Sequence, residues 1–271
     1  MKLDELKNKK ILILGLGREG LDTFLFLRKL FPKKRFGVAD IKYQIPNTEY
    51  QIQNVNWHLG KNYLKALNNY DVIIKSPGIP FKILPKSVLA KIITQTDIFF
   101  DSCPGKIVGI TGTKGKSTTA ALIYKILKEE LKVHPVKFAS QTFNRVNLVG
   151  NIGKPVLNLL FSATPNDVYP APLAAKGDRV YVYELSSHQL YNLKKSPQIA
   201  VFLNLFAEHL DYYRNFKEYV AAKANITLHQ NKNDYLVFNS EDKIVKEIAK
   251  KSKAKKIPIK GEYYELDKNA A

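Results

Sequence analysis

The stretch Gly109-Ile110-Thr111-Gly112-Thr113-Lys114-Gly115-Lys116-Ser117-Thr118 constrains this chain more than any other. It follows the short apolar run Lys106-Ile107-Val108. A helical pattern from Thr119 to Leu131 comes next, with apolar Ala120, Ile123, Ile126, Leu127 and Leu131. Strand, glycine turn and helix start, in that order, present backbone N–H groups and the positive end of a helix to a phosphate. Lys116 adds a mobile cation, and Ser117 adds a hydroxyl able to ligate Mg²⁺. The strict P-loop pattern puts four residues between its first glycine and the Gly-Lys pair. Here five separate Gly109 from Gly115, and Ile110 stands where the strict pattern has glycine. The stretch therefore reads as a phosphate loop of a particular subtype.

A second glycine turn lies near the amino terminus. Residues 10–16 read as a buried strand, Gly15-Leu16-Gly17-Arg18-Glu19-Gly20 fits G-x-G-x-x-G, and a helix pattern runs to Leu30. A further strand over residues 35–39 ends in Asp40. That is the dinucleotide fingerprint, but a glycine turn at a helix N-terminus can hold any diphosphate. Asp71-Val72-Ile73-Ile74 reads as a strand that exits through Lys75-Ser76-Pro77-Gly78-Ile79-Pro80, a rigid turn where ligands sit in open α/β sheets. Helical spacing covers residues 87–93, and residues 97–100 read as a strand. Asp101 to Gly105 reads as a hinge, which divides the chain into domains 1–102 and 103–271.

Three strand exits follow the phosphate loop. Leu148 to Pro155 reads as a tight turn that points Asn151 into a site. Residues 179–183 lead into Glu184-Leu185-Ser186-Ser187-His188-Gln189, where the Glu184 carboxylate is placed to complete a Mg²⁺ shell begun by Ser117. Residues 199–205 end in Phe206-Ala207-Glu208-His209-Leu210-Asp211. On the helix after Asn215, Phe216, Tyr219, Val220, Ile226 and Thr227 share one face with Lys223 in its middle. Such a lysine either reaches out to water or turns toward a site with a depressed pKa. Residues 234–239 read as a strand, with Ser240 to Asp242 opening a helix.

Composition narrows the partners. A net charge of +19 invites nucleic acid. The densest lysine runs, at residues 7–10, 33–35 and 250–256, are not interleaved with aromatics, so small polyanions fit better. No apolar run approaches a membrane span, and the charged start, Met1 to Lys10, does not lead into a secretory signal. One cysteine, Cys103, excludes an internal disulfide and fits a reducing cytosol.

These motifs together resemble the Mur ligase family, ATP-dependent amide-forming enzymes of peptidoglycan precursor synthesis. The phosphate loop, Gly-Leu-Gly-Arg-Glu-Gly at 15–20, Ser-Pro-Gly-Ile at 76–79, Gly-Asn-Ile-Gly-Lys-Pro at 150–155 and Glu-Leu-Ser-Ser-x-Gln-Leu at 184–190 carry the likeness. Within the family it is most similar to the member that joins D-glutamate to UDP-N-acetylmuramoyl-L-alanine. The resemblance implies a Rossmann-like amino-terminal domain and a P-loop-type central ATPase domain with a mostly parallel sheet. Gly17, Arg18, Glu19, Gly20, Ile41, Lys42 and Gly78 would hold the UDP moiety. Gly112, Thr113, Lys114, Gly115, Lys116, Ser117 and Thr118 would bind ATP, with Lys116 on the γ-phosphate. Ser117 and Glu184 would ligate one Mg²⁺. His209 would ligate a second, with Lys223 as an N-carboxylated lysine. Asn151, Ser186 and Gln189 would contact the muramoyl-alanine end.

Two local departures stand out: Lys114 replaces the commoner Asn, and Phe206-Ala207-Glu208 replaces Thr-Glu-Asp. The family's third, carboxyl-terminal domain is expected to be absent, so the chain reads as a cytoplasmic, monomeric, truncated form with little activity alone. The alternatives are another family member, a non-catalytic nucleotide or UDP-sugar binding module, and a nicotinamide-dependent oxidoreductase.

Overall fold

Ile11–Leu14 is four consecutive apolar residues, all buried, and forms β1. A strand with no polar face must be covered on both sides, which is the condition of a parallel sheet. The computed structural model describes residues 3–43, 54–133, 146–150, 156–160, 179–208 and 211–261. They form two compact units, Met1–Ser102 with Pro155–Pro172, and Cys103–Lys154 with Leu173–Ala271.

In the first unit β1 leads to α1 (Arg18–Leu30), β2 (Phe36–Asp40), β3 (Val55–Leu59), β4 (Val72–Lys75), β5 (Ile92–Thr94) and α2 (Gln95–Ser102). The sheet order is β3-β2-β1-β4-β5, with every pairing parallel. Strand order reverses between β1 and β4, and the crevice beyond their carboxyl ends is where such sheets bind ligands. Leu12, Leu14, Ile73, Leu67 and Val88 belong to one core on this sheet.

Two local expectations change here. Residues 97–100 are helix, not strand. Thr94 and Asp97 cap each other: the Thr94 N–H donates to Asp97 Oδ2 at 2.8 Å and the Asp97 N–H to Thr94 Oγ1 at 3.1 Å. This reciprocal bond starts α2 despite the strand-like apolar residues behind it. The helical spacing at 87–93 resolves into a 3-10 turn, Lys86–Lys91, followed by β5.

A 3-10 turn at Leu157–Leu160 packs on α1 and α2. Its anchor is Asp22, whose carboxylate accepts from Asn158 Nδ2 at 2.5 Å and Gln95 Nε2 at 2.7 Å. Burial lifts the Asp22 pKa to about 6, against the lowering pull of the Leu157 amide, Gln95 and Arg18.

The second unit contains β6 (Lys106–Thr111), α3 (Lys116–Val133), β7 (Val146–Gly150), β8 (Val180–Glu184) and α4 (Ser187–Leu190). It continues through β9 (Ile199–Phe202), α5 (Phe216–Leu228), β10 (Tyr235–Asn239), α6 (Lys243–Lys251) and β11 (Lys255–Ile259). Its sheet order is β11-β10-β9-β6-β8-β7, again all parallel. Val108, Ile110, Ala120, Val182 and Val201 form its core. Leu148 to Gly150, expected in a turn, belong to β7, which is paired to β8 through Gly150, and residues 151–155 of that expected turn lie outside the described residues. Strand β11, which the lysine-rich sequence hid, is exposed at every residue and carries Pro258. Lysine and proline on an edge strand block pairing with another chain.

The glycine turn after β1 is sterically set at some glycines and open at others. A Cβ on Gly20 would lie 1.9 Å from the Gly15 carbonyl oxygen, whereas one on Gly17 would meet nothing within 4 Å. Gly20→Ala is expected to cost about 1–3 kcal/mol or more through this backbone clash. Gly17→Ala should cost less than about 1 kcal/mol. Urea unfolding of the two variants measures both, and equal losses would refute the steric account.

Candidate active site

The phosphate loop occupies the carboxyl end of β6, with β9 on one side and β8 on the other. Its odd spacing has a structural reason. Ile110, at the position of the missing glycine, is still inside β6 and fully buried in the core. The turn proper is Gly112 to Gly115, and only Gly115, at φ +80°, has left-handed backbone. That conformation favours glycine over any other residue. Thr113, expected on the phosphates, is buried and points inward: its Oγ1 lies 3.1 Å from the Tyr219 hydroxyl and accepts from the Phe206 N–H at 3.1 Å. Gly115 and Lys116 are half-buried, while Lys114 in the turn and Ser117 and Thr118 at the start of α3 are exposed.

Asn204, just past β9, holds the loop in shape. Its Oδ1 accepts from the N–H groups of Thr113 at 3.1 Å and Lys114 at 2.9 Å, and its backbone oxygen accepts from Thr113 N at 2.9 Å. Its only signal in the sequence is an asparagine at a strand exit, and its partners lie about 90 residues away.

Ser117 and Glu184 come together. The Ser117 hydroxyl donates to Glu184 Oε1 at 3.1 Å. Glu184 is 3% exposed, and its Oε2 is buried with no hydrogen-bond partner among the described residues. An unmatched buried carboxylate oxygen is costly. A hydroxyl and a carboxylate are hard oxygen donors suited to Mg²⁺, which completes its shell with phosphate oxygens and water. The pair therefore fits such an ion. Among the described residues no group of three or more His, Cys, Asp or Glu gathers to hold a metal by itself.

Two lysines converge on one loop carbonyl. Lys223, 1% exposed, donates through Nζ to the Gly112 oxygen at 2.6 Å and to Thr111 Oγ1 at 3.3 Å. Lys116 Nζ donates to the same oxygen at 3.1 Å and to the Thr113 oxygen at 2.9 Å. Burial brings the Lys223 pKa down to about 7, helped by Lys116 and opposed by Glu208. Burial also lowers Lys116, while Glu184 and Glu208 pull it back up. Glu208 pairs with Lys114 at 3.0 Å, so the two departures from the family pattern contact each other. The Lys114 side chain is 53% exposed, and such a pair adds little stability.

Ser186 and Gln189 form a capping box at the start of α4: the Gln189 N–H donates to Ser186 Oγ at 3.3 Å and the Ser186 N–H to Gln189 Oε1 at 3.0 Å. Gln189 is buried and Ser186 half-buried. Asn151 and His209 lie outside the described residues.

The first unit has its own cradle at the switch point. Gly17, Arg18, Ile41, Lys42 and Gly78 are all exposed beyond the carboxyl ends of β1, β2 and β4. Glu19 is half-buried and Gly20 buried. Asp40, the acid of the fingerprint, accepts from Leu16 N at 2.7 Å and from Lys42 N at 2.9 Å. Both its oxygens thus tie loop backbone, a different use from holding a ribose. Ser76 Oγ donates to the Gly15 oxygen at 2.7 Å and locks the β4 exit to the glycine turn.

Comparison with known proteins finds a match in each unit. The Mur ligase middle domain matches residues 110–270. The Mur ligase MurD-like N-terminal domain matches residues 9–95. The UDP-N-acetylmuramoylalanine–D-glutamate ligase of Clostridium acetobutylicum is 34% identical over 246 residues, 88% of this chain and 48% of the relative. That of Ligilactobacillus salivarius is 31% identical over 270 residues, 95% of this chain and 53% of the relative. The chain thus spans about half the length of the curated relatives it matches. A solved UDP-N-acetylmuramate:L-alanyl-gamma-D-glutamyl-meso-diaminopimelate ligase from Neisseria meningitides has the same fold, with a TM-score of 0.54 at 14% identity over 92% of this chain and 77% of that one. With the middle-domain match alone covering more than half of the residues, this chain belongs to the Mur ligase family.

Proposed function

We propose that this chain supplies the UDP-substrate and ATP sites of a ligase that adds D-glutamate to UDP-N-acetylmuramoyl-L-alanine, using ATP and Mg²⁺. The observation that carries the ATP half is the phosphate loop set against Glu184, whose Oε2 is buried and unmatched. The choice of amino acid rests on the names of the relatives. The protein is read as monomeric and cytoplasmic, with no nucleic-acid partner. Among the described residues no helix is long and apolar enough to cross a membrane.

The substrate carboxylate attacks the γ-phosphorus of ATP, forming a C–O–P acyl phosphate and releasing ADP. The neutral amine of D-glutamate then attacks the acyl carbon, phosphate leaves, and an amide remains. Within Gly112 to Thr118 the N–H groups of Thr113 and Lys114 are taken by Asn204, and the remaining N–H groups with the start of α3 would cradle the phosphates. Lys116, whose ammonium bonds two loop carbonyls, would turn it to hydrogen-bond the γ-phosphate as charge builds there. Ser117 and Glu184 would hold a Mg²⁺, which neutralises phosphate charge when bound. In the first domain, Gly17 to Gly20, Ile41, Lys42 and Gly78 would hold the UDP moiety, with Asn151, Ser186 and Gln189 toward the muramoyl-alanine end.

Lys223 would be carboxylated. Its neutral amine adds to CO₂, an N–C bond forms, one proton leaves, and a carbamate anion replaces the cation. This would remove the repulsion from Lys116 and supply, with His209, oxygen and nitrogen ligands for a second metal. A pKa near 7 makes the neutral amine available under ordinary conditions.

Calorimetric titration of the chain should detect both ATP with Mg²⁺ and UDP-N-acetylmuramoyl-L-alanine. Lys116→Ala should weaken ATP binding about tenfold or more and leave the UDP ligand unaffected. Failure of the UDP ligand to bind, with ATP still bound, would leave only a nucleotide-binding module. Phosphate release that requires all three substrates, with D-glutamate preferred over other amino acids, is the activity readout.

With ¹³C-bicarbonate, a carbamate resonance should grow as pH rises through about 7, because only the neutral Lys223 amine reacts. Lys223→Arg should lack the signal. A spectrum without it at pH 8–9 would refute carboxylation.

A further inference from the structure

Lys75 ends β4 and lies 1% exposed beneath the Ser76–Pro80 turn. Its Nζ donates to the carbonyls of Ile79 at 2.8 Å and Ser76 at 3.0 Å. It also sits 4.5 Å from the centre of the Phe81 ring, within cation–π range. A narrow recess beside it is lined by Glu19, Thr23, Ser76 and Gln95. Two carbonyls of the turn are therefore drawn inward, while Gly78 at its tip stays exposed. Ser76 in turn clamps the Gly15 carbonyl. A single buried cation thus organises both loops of the switch-point cradle.

We propose that Lys75 is a positioning residue for the UDP ligand: its buried ammonium fixes the Gly78 turn, and binding of the diphosphate is coupled to its protonation. This rests on the UDP reading of the first domain. No bond to the substrate is required of it. The charged form matters because a neutral amine could still reach both carbonyls, but without charge assistance or attraction to Phe81.

Burial lowers the Lys75 pKa to about 7, with Glu19 from α1 opposing the shift. Thr23 on α1, Gln95 on α2 and Phe81 also face it, and none of them titrates near neutrality. At pH 7 the free protein is thus a mixture of ammonium and amine. A diphosphate at the neighbouring glycine turn favours the ammonium, so its pKa rises in the complex and a proton is taken up. Affinity is then greatest below pH 7 and falls as pH rises through 7 toward the higher pKa of the complex. UDP-N-acetylmuramoyl-L-alanine is the suitable probe, because its diphosphate diester and carboxylate do not titrate in this range.

The experiment is calorimetric titration of the chain with that probe from pH 6 to 9, in two buffers of different ionisation heat. The wild type should take up about half a proton near pH 7.5 and lose about tenfold in affinity across the range. Lys75→Arg, which stays charged, should bind well and lose the proton uptake. Lys75→Met should bind about tenfold more weakly at pH 6, with no pH slope from this position. If Lys75→Met does not fold, the arginine variant decides alone. Proton uptake by Lys75→Arg equal to the wild type would overturn the inference, as would wild-type affinity and slope in Lys75→Met. A wild type that binds the probe at no pH would instead overturn the UDP reading of the domain.

Discussion

Two ammonium groups share the carbonyl of Gly112, and the arrangement of the phosphate loop depends on that crowding. Lys223 and Lys116 approach the same oxygen at 2.6 and 3.1 Å. Each repels the other in a place where water cannot screen them well. One carbonyl cannot neutralise two cations. Glu208 and Glu184 offset part of the excess without removing it. The tension ends when an anion enters or when one lysine loses its charge. Both of the proposed events, ATP binding at Lys116 and carboxylation at Lys223, do this. A site that is electrostatically unfinished when empty gains most from its ligand.

The two parallel sheets explain why such groups collect where they do. A parallel sheet brings all its strand carboxyl ends to one edge, and the following turns crowd there. In the second unit that edge gathers the loop after β6, Glu184 at the end of β8 and Asn204 after β9. In the first it gathers the glycine turn after β1, Asp40 at the end of β2 and Lys75 at the end of β4. Neither set is local in sequence. Asn204 reaches the loop across about 90 residues, and Ser76 reaches Gly15 across 61. Closing such distances is entropically costly, and the buried apolar strands between them are what make it possible.

What the sequence revealed follows the same division. Central strands announce themselves, because β1, β4, β6, β8 and β9 are buried along most of their length and must be apolar. Edge strands do not. Strand β3 is at most half-buried and β11 is exposed throughout, so their polar residues carry no period that could be recognised. In helix α2, Ile98, Phe99 and Phe100 look strand-like, although Thr94 and Asp97 spell a cap three residues apart. Of the second-unit site, the proximity of Ser117 and Glu184 could be anticipated from a loop and a carboxylate at neighbouring strand ends. The inward turn of Thr113 could not, because it depends on Tyr219 and Phe206 in distant segments.

Lys75 shows why a buried charge escapes a sequence reading. In the chain it is one lysine among many, placed after Val72-Ile73-Ile74 and before a proline turn. Nothing distinguishes it from a strand-end lysine that reaches out to water. Only the folded turn, with Ile79 and Ser76 carbonyls accepting from its ammonium and the Phe81 ring 4.5 Å from it, makes it internal. The same holds for Lys223 on α5, whose ammonium is internal because β6 and its loop lie across it. Each unit therefore keeps a lysine with a pKa near 7 behind its glycine turn. Such lysines reduce the stability of the empty protein, since holding them charged away from water costs free energy. They are tolerated where an anion is to be held, because the same desolvation that penalises the lysine strengthens its attraction for the ligand's charge.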